Sequence, residues 1–312
     1  MPKMIPPDAV RPRGPVRRVL LMVVATAGLA ACHPGNEENK RLRSACESGD
    51  VAACHQFAIK LQKGEYVLRD DPRAAQLFDE ACKGGVGAGC ASLGVAYQRG
   101  RGVKRDSARA FTLLEQGCQR GAMDGCARLG VLYRRGAGPS KNVARAVELF
   151  QQACDGGDLM GCANLGALHA SGEGVVQDFA KAADLSKRSC DGKVALGCVE
   201  LGRLHAAGTG VPKDDSTAVA LYDKACDEGE SSGCLQHGLA LESGVGGPQN
   251  FTRAAMLYRQ ACSTQNGEAC ARLAALYDRG AGVRRQPDEA AGYRKRACDY
   301  GHTESCANPK GA

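Results

Sequence analysis

Sixteen of the seventeen cysteines fall into eight Cys-x₇-Cys pairs. The first members are Cys46, Cys82, Cys118, Cys154, Cys190, Cys226, Cys262 and Cys298, and the second members are Cys54, Cys90, Cys126, Cys162, Cys198, Cys234, Cys270 and Cys306. Each series advances by 36 residues at every step, with no insertion or deletion. Paired thiols at this spacing have two chemistries open to them, disulfide formation and metal ligation. Histidine chemistry is sparse: of six histidines, none forms His-x-His or His-Glu-x-x-His. His169 and His205 stand 36 apart, in the column that holds Tyr97, Tyr133 and Tyr277 elsewhere. A flat side chain with a polar tip filling a tyrosine slot is a better reading of them than a metal or acid-base pair. No residue is assigned to catalysis, and no cofactor or metal is expected.

A repeat length held this strictly requires every unit to pack on the next by one geometry, as in a helical solenoid. The 312 residues are therefore read as one elongated array. With 4% aromatic residues and no Trp, its core must come from Ala, Leu and Val at close helix contacts. In the unit that starts at Cys118, Cys126, Leu129, Gly130 and Tyr133 fall at i, i+3, i+4 and i+7, one apolar face of a first helix over 123–135. Gly94, Gly130, Gly166, Gly202 and Gly238 recur inside these helices, at a cost of about 1 kcal/mol each against Ala, which implies a close contact with a neighbouring helix. A turn glycine follows in all seven units (Gly64 in the first, Gly280 in the last) and fits a helix C-terminus with positive φ. Asp70, Asp106, Asn142, Asp178, Asp214 and Asn250 then cap a second helix, while the last unit has Gln286 before Pro287. Ala at the fourth position after the cap and Leu three further on (Ala146 and Leu149, for example) make a packing stripe. A glycine usually follows the first cysteine by three residues; Lys193 and Gln265 depart from that column, so their two turns are expected to differ, and Tyr66, Pro139 and Gly247 mark irregular loops.

The order of helix, Gly-x-Gly-Val turn, Asp-capped helix and Ala-Cys, shown well by Gly166, Gly172, Gly174, Val175, Asp178, Lys181, Ala182 and Leu185, resembles the Sel1-like repeat family, which is related to TPR arrays. A Cys-x₇-Cys in every unit narrows the resemblance to the cysteine-rich subgroup typified by secreted Helicobacter proteins. It covers about residues 41–306 and implies an all-α, right-handed αα superhelix: seven helix pairs, a leading half-unit helix around Asn36–Ala45 and a trailing half-unit cut short by Pro309.

Residues eight apart in an unbroken helix are ~12 Å apart, beyond the ~7 Å reach of a disulfide. The turn after each second helix folds the chain back and removes that objection. The expected bridges are Cys46–Cys54, Cys82–Cys90, Cys118–Cys126, Cys154–Cys162, Cys190–Cys198, Cys226–Cys234, Cys262–Cys270 and Cys298–Cys306. Zinc is the rival. It generally takes Cys-x₂₋₄-Cys pairs that meet as four ligands, whereas these pairs recur roughly 10 Å apart along packed helices.

Kinship with the Helicobacter proteins also implies penicillin binding or weak β-lactamase activity, but no Ser-x-x-Lys and no Lys-Thr-Gly occurs in the chain. Related arrays line their concave face with first helices. There the resemblance puts Arg99, Arg128, Arg135 and Asn164 on a candidate ligand face, suited to a carboxylate of a protein, peptide or cell-wall fragment.

The N-terminus carries Lys3, Arg11, Arg13, Arg17 and Arg18, then an apolar run from Val19 to Ala30. That is an export-signal pattern, and at ~18 Å the run is too short for a ~30 Å bilayer core. Leu29-Ala30-Ala31-Cys32 resembles a bacterial lipobox, with lipidation at Cys32. The expected organisation is a signal over 1–31, a polar tether over 32–40, the solenoid over 41–306 and a tail over 307–312. His33, where an inner-membrane retention signal would have Asp, leans toward the outer membrane, so a periplasmic or surface location in the envelope is expected, with membrane contact through the lipid alone. Past residue 31 the chain has 36 basic against 33 acidic residues, a balance of +3 that does not suit a nucleic-acid partner.

Overall fold

The computed structural model describes residues 34–307. The signal segment, Cys32 and residues 308–312 lie outside them. Sixteen α-helices and no strands are found among the described residues. A leading helix, α1 (Pro34–Glu47), is followed by seven pairs: α2 (Val51–Lys63) with α3 (Asp71–Lys83), α4 (Gly87–Arg99) with α5 (Ser107–Gln119), α6 (Met123–Arg135) with α7 (Val143–Asp155), α8 (Leu159–Ser171) with α9 (Phe179–Asp191), α10 (Ala195–Ala207) with α11 (Asp215–Asp227), α12 (Ser231–Ser243) with α13 (Phe251–Ser263), and α14 (Gly267–Arg279) with α15 (Pro287–Asp299). A short α16 (Thr303–Ala307) ends the array. None of these helices is long and apolar enough to cross a membrane.

The polar stretch expected as a tether is mostly helix. Residues from Pro34 onward belong to α1 because their polarity is that of one solvated side: Glu37 and Lys40 pair outward at 2.8 Å, while Asn39 is buried and donates to the Glu65 carbonyl at 2.7 Å. Glu37, Glu38 and Lys40 are the exposed rim of an amphipathic helix.

The turn inside each pair is built by hydrogen bonding. The glycine after the first helix takes the left-handed conformation, with φ from 66° to 73° in all seven pairs. The chain then doubles back, so that the cap residue of the second helix donates its N–H to a carbonyl near the end of the first. Asp106 donates to Tyr97, Asp178 to His169 and Asp214 to His205, each at 3.0–3.1 Å. The same cap side chains accept from the N–H three residues on, as Asp178 does from Lys181 at 2.9 Å; Gln286 alone among the seven makes no such bond, with Pro287 following it. Gly138 departs from the positive φ of its column because Pro139 restricts the residue before it.

The turns at Lys193 and Gln265 do not differ as expected. Lys193 (φ 63°) and Gln265 (φ 68°) adopt the left-handed conformation that glycine holds elsewhere, and they donate to Cys190 and Cys262 just as Gly121 donates to Cys118. The second helix and the next first helix fix this joint whatever residue stands in it. Replacing both Lys193 and Gln265 by Gly should therefore raise the urea midpoint, through a stability gain of up to about 1 kcal/mol per site, since the left-handed region is strained for residues with a Cβ.

First helices of successive units touch one another (α4 with α6, α6 with α8, α8 with α10, α10 with α12), and no successive second helices pack comparably. The second helices splay. Within a pair, the internal glycines admit a large neighbour: a Cβ at Gly130, Gly202 or Gly238 would stand 2.5–2.6 Å from the ring of Phe150, Tyr222 or Tyr258. These rings, eight residues after each cap, form a core column that the repeat pattern did not single out.

Candidate functional site

The cysteines meet as eight disulfides in the expected pairs, with Cα–Cα distances of 4.5–4.8 Å. Each joins the end of a second helix to the start of the following first helix. Cationic side chains from the next unit cover several of them. Arg120 donates to the Cys82 carbonyl at 2.6 Å, Arg188 to that of Cys154 at 3.2 Å and Lys224 to that of Cys190 at 3.0 Å. Among the described residues, the three-donor cluster of Cys46, Cys54 and Glu80 has both sulfurs committed to a disulfide, so it offers a cation one carboxylate. An oxidised framework of this density belongs to an extracytoplasmic compartment.

The four residues expected on the ligand face separate. Arg99 feels the charge of Arg128: loss of hydration first, then the like charges of Arg101 and Arg128, lower the pKa of Arg99 below its ordinary value. Arg128 sits beside a cavity of about 200 Å³ that also has Gln98, Asp124, Asp158 and Met160 in its wall. The Arg128 Nε–H is buried without a hydrogen-bond partner, and the nearest acid, Asp124, is 4.0 Å away. Arg135 is exposed and makes no ion pair among the described residues. Asn164 does not belong to the face. It is buried, and its amide donates to the Met160 carbonyl one turn back at 2.8 Å.

Elsewhere on the same side, charge is neutralised internally. Arg134 meets Glu173 at 3.1 Å and Arg279 meets Glu242 at 2.6 Å. The basic region is thus narrower than the sequence columns suggest, because acids of adjoining units, Glu173 from the next and Glu242 from the one before, reach it. His169 is buried, His205 contacts the Pro212 carbonyl at 3.2 Å, and no third His, Cys, Asp or Glu donor gathers around either among the described residues.

No curated protein matches the chain. Among solved structures, it is similar to c5321, a protective antigen of uropathogenic Escherichia coli with an SLR fold: identity is 27%, the TM-score is 0.54, and the match covers 86% of this chain and 58% of that one. It is similar in fold to a Sel1 repeat protein from Oxalobacter formigenes, at 21% identity over 78% of this chain and 96% of that one, with a TM-score of 0.64. Cysteine-rich protein B of Helicobacter pylori matches at 27% identity over 43% of this chain and 97% of that one, with a TM-score of 0.33. The Sel1 repeat is matched seven times, over residues 51–86, 87–121, 124–158, 159–193, 195–230, 231–263 and 267–302. These units span most of the chain, which therefore belongs to the Sel1 repeat family.

Proposed function

We propose that the protein is an exported, lipid-tethered scaffold whose first-helix side forms a concave face that receives a protein, peptide or peptidoglycan-derived ligand through a carboxylate. Repeat arrays present extended surfaces of this kind to protein partners. The observation that carries the ligand chemistry is Arg128, beside a cavity, with an Nε–H that has no hydrogen-bond partner and only a 4.0 Å ion pair with Asp124. A planar guanidinium in that position suits a forked contact with a carboxylate. Export and the lipid anchor rest on the disulfides and on the Leu29-Ala30-Ala31-Cys32 sequence.

Crosslinking in an envelope fraction, followed by capture through the full chain, tests the ligand face. Arg128→Glu with Arg135→Glu should lose the captured partner, because two carboxylates then oppose the incoming one. Unchanged capture by a folded double variant removes the assignment.

A further inference from the structure

Because the second helices splay, each junction between successive second helices needs a plug on the outer side of the array. Between α5 and α7 it is Phe111, which is buried with its ring 5.2 Å from that of Tyr133 and edge-on at 74°; a Cβ on Gly138 would stand 2.7 Å from it. Val143 and Val147 stand against Gly174 at the next junction, and Val219 stands against Gly246 two junctions further on. At the other two, Phe179 shares a cluster with Val211, and Phe251 shares one with Val283.

At the α3–α5 junction the same two positions hold Asp71 and Ala75. No large side chain from α3 stands in the space; Ala75 packs there in one cluster with Leu93, Val103 and Leu113. A groove of about 840 Å³ remains there, with Leu93, Tyr97, Val103 and Leu113 among its lining, within the size range of ligand sites.

Of the charged side chains in the groove wall, exposed Arg109 is the one that makes no ion pair among the described residues. Lys83 and Asp79 pair with each other at 2.5 Å. Arg109 lies over the Tyr97 ring, 5.4 Å from its centre, and donates Nη1–H to the Tyr97 hydroxyl at 2.9 Å. One unit along, its counterpart Arg145 pairs with Glu148 at 2.5 Å, and the position equivalent to Glu148 in the earlier unit is Thr112. Compared with its neighbour, the junction therefore lacks an aromatic ring against a tyrosine and a carboxylate against an arginine. The two gaps meet at Tyr97, so one residue carrying both groups fills them together.

We propose that the α3–α5 groove binds the C-terminal residue of a polypeptide when that residue is aromatic, its ring against Tyr97 where Phe111 lies against Tyr133, and its carboxylate on Arg109. The site is on the second-helix side, shares no residue with the Arg128 cavity, and stands or falls independently of the first-helix face.

Fluorescence anisotropy with labelled Gly-Ser-Gly-Ser-Phe tests it on the full chain. The free acid should bind, the C-terminal amide at least about tenfold more weakly, as befits a lost charge-assisted hydrogen bond, and the Ala-terminated peptide not at all. Ala75→Phe, which copies Phe111, should abolish binding by filling the groove. Thr112→Glu, which copies Glu148, should abolish it by pairing Arg109, so the result does not depend on one variant folding. The proposal is overturned if the acid does not bind, if acid and amide bind alike, if a folded Ala75→Phe protein binds as the wild type does, or if an amidated peptide with an internal Phe-Glu binds as tightly as the acid.

Discussion

Replacing Cys154 and Cys162 together with Ala lowers stability by roughly 2–3 kcal/mol in the chain-entropy model for a loop of about nine residues. The bond joins α7 to α8 near the middle of the array. Both cysteines are buried, with the Arg188 guanidinium against the Cys154 carbonyl, and Ala keeps the joint without leaving a buried polar group. Stability in a stacked array is the sum of unit and junction contributions, so loss at a central junction weakens both halves. Amide exchange should quicken first in α7 and α8. The same change at Cys298 and Cys306, which tie down only the five residues of α16, should matter less. An unchanged urea midpoint for the central variant, or the absence of a sixteen-hydrogen mass gain when the wild type is reduced, would remove the disulfide account.

A comparable loss is expected from Gly210→Ala. Gly210 has φ +73°, and a Cβ there would overlap the Phe179 carbonyl at the start of the preceding second helix. Left-handed strain contributes about 1–3 kcal/mol and forced displacement of packed atoms a similar amount, so a total of roughly 2–6 kcal/mol is expected. Gly229→Ala is the control that separates the two. Its φ is +85° with nothing within 4 Å of the added carbon, so it should lose only the strain. If the two variants unfold at the same urea concentration with equal m-values, the turn is not in contact with the preceding unit.

The sequence exposed those features that repeat and hid those that come from one unit meeting another. The period, the two helices per unit, the left-handed glycine and the capping Asp or Asn are properties of a single unit, so the columns displayed them. Asn164 looked surface-directed by its column, yet its own helix turn holds its amide, and the neighbouring packing buries it. Lys193 and Gln265 broke a column without breaking the turn, because the flanking helices determine the backbone there. Asn39 read as tether because its single anchoring bond goes to residue 65, which no local pattern announces. The groove at Ala75 was invisible for a related reason: Ala is ordinary at that position, and its consequence shows only where Tyr97 and Arg109 are found without the ring and the acid that the next unit supplies.

The eight sulfur bridges span the joints between units, whereas the glycine turns within units have no such crossing. A protease that nicks the backbone between Cys118 and Cys126 therefore leaves the molecule in one covalent piece, but a nick between Gly100 and Asp106 divides it in two. In an environment rich in proteases, the parting lines of this molecule are its hairpin tips, and its seams are the places where it can be cut and still hold together.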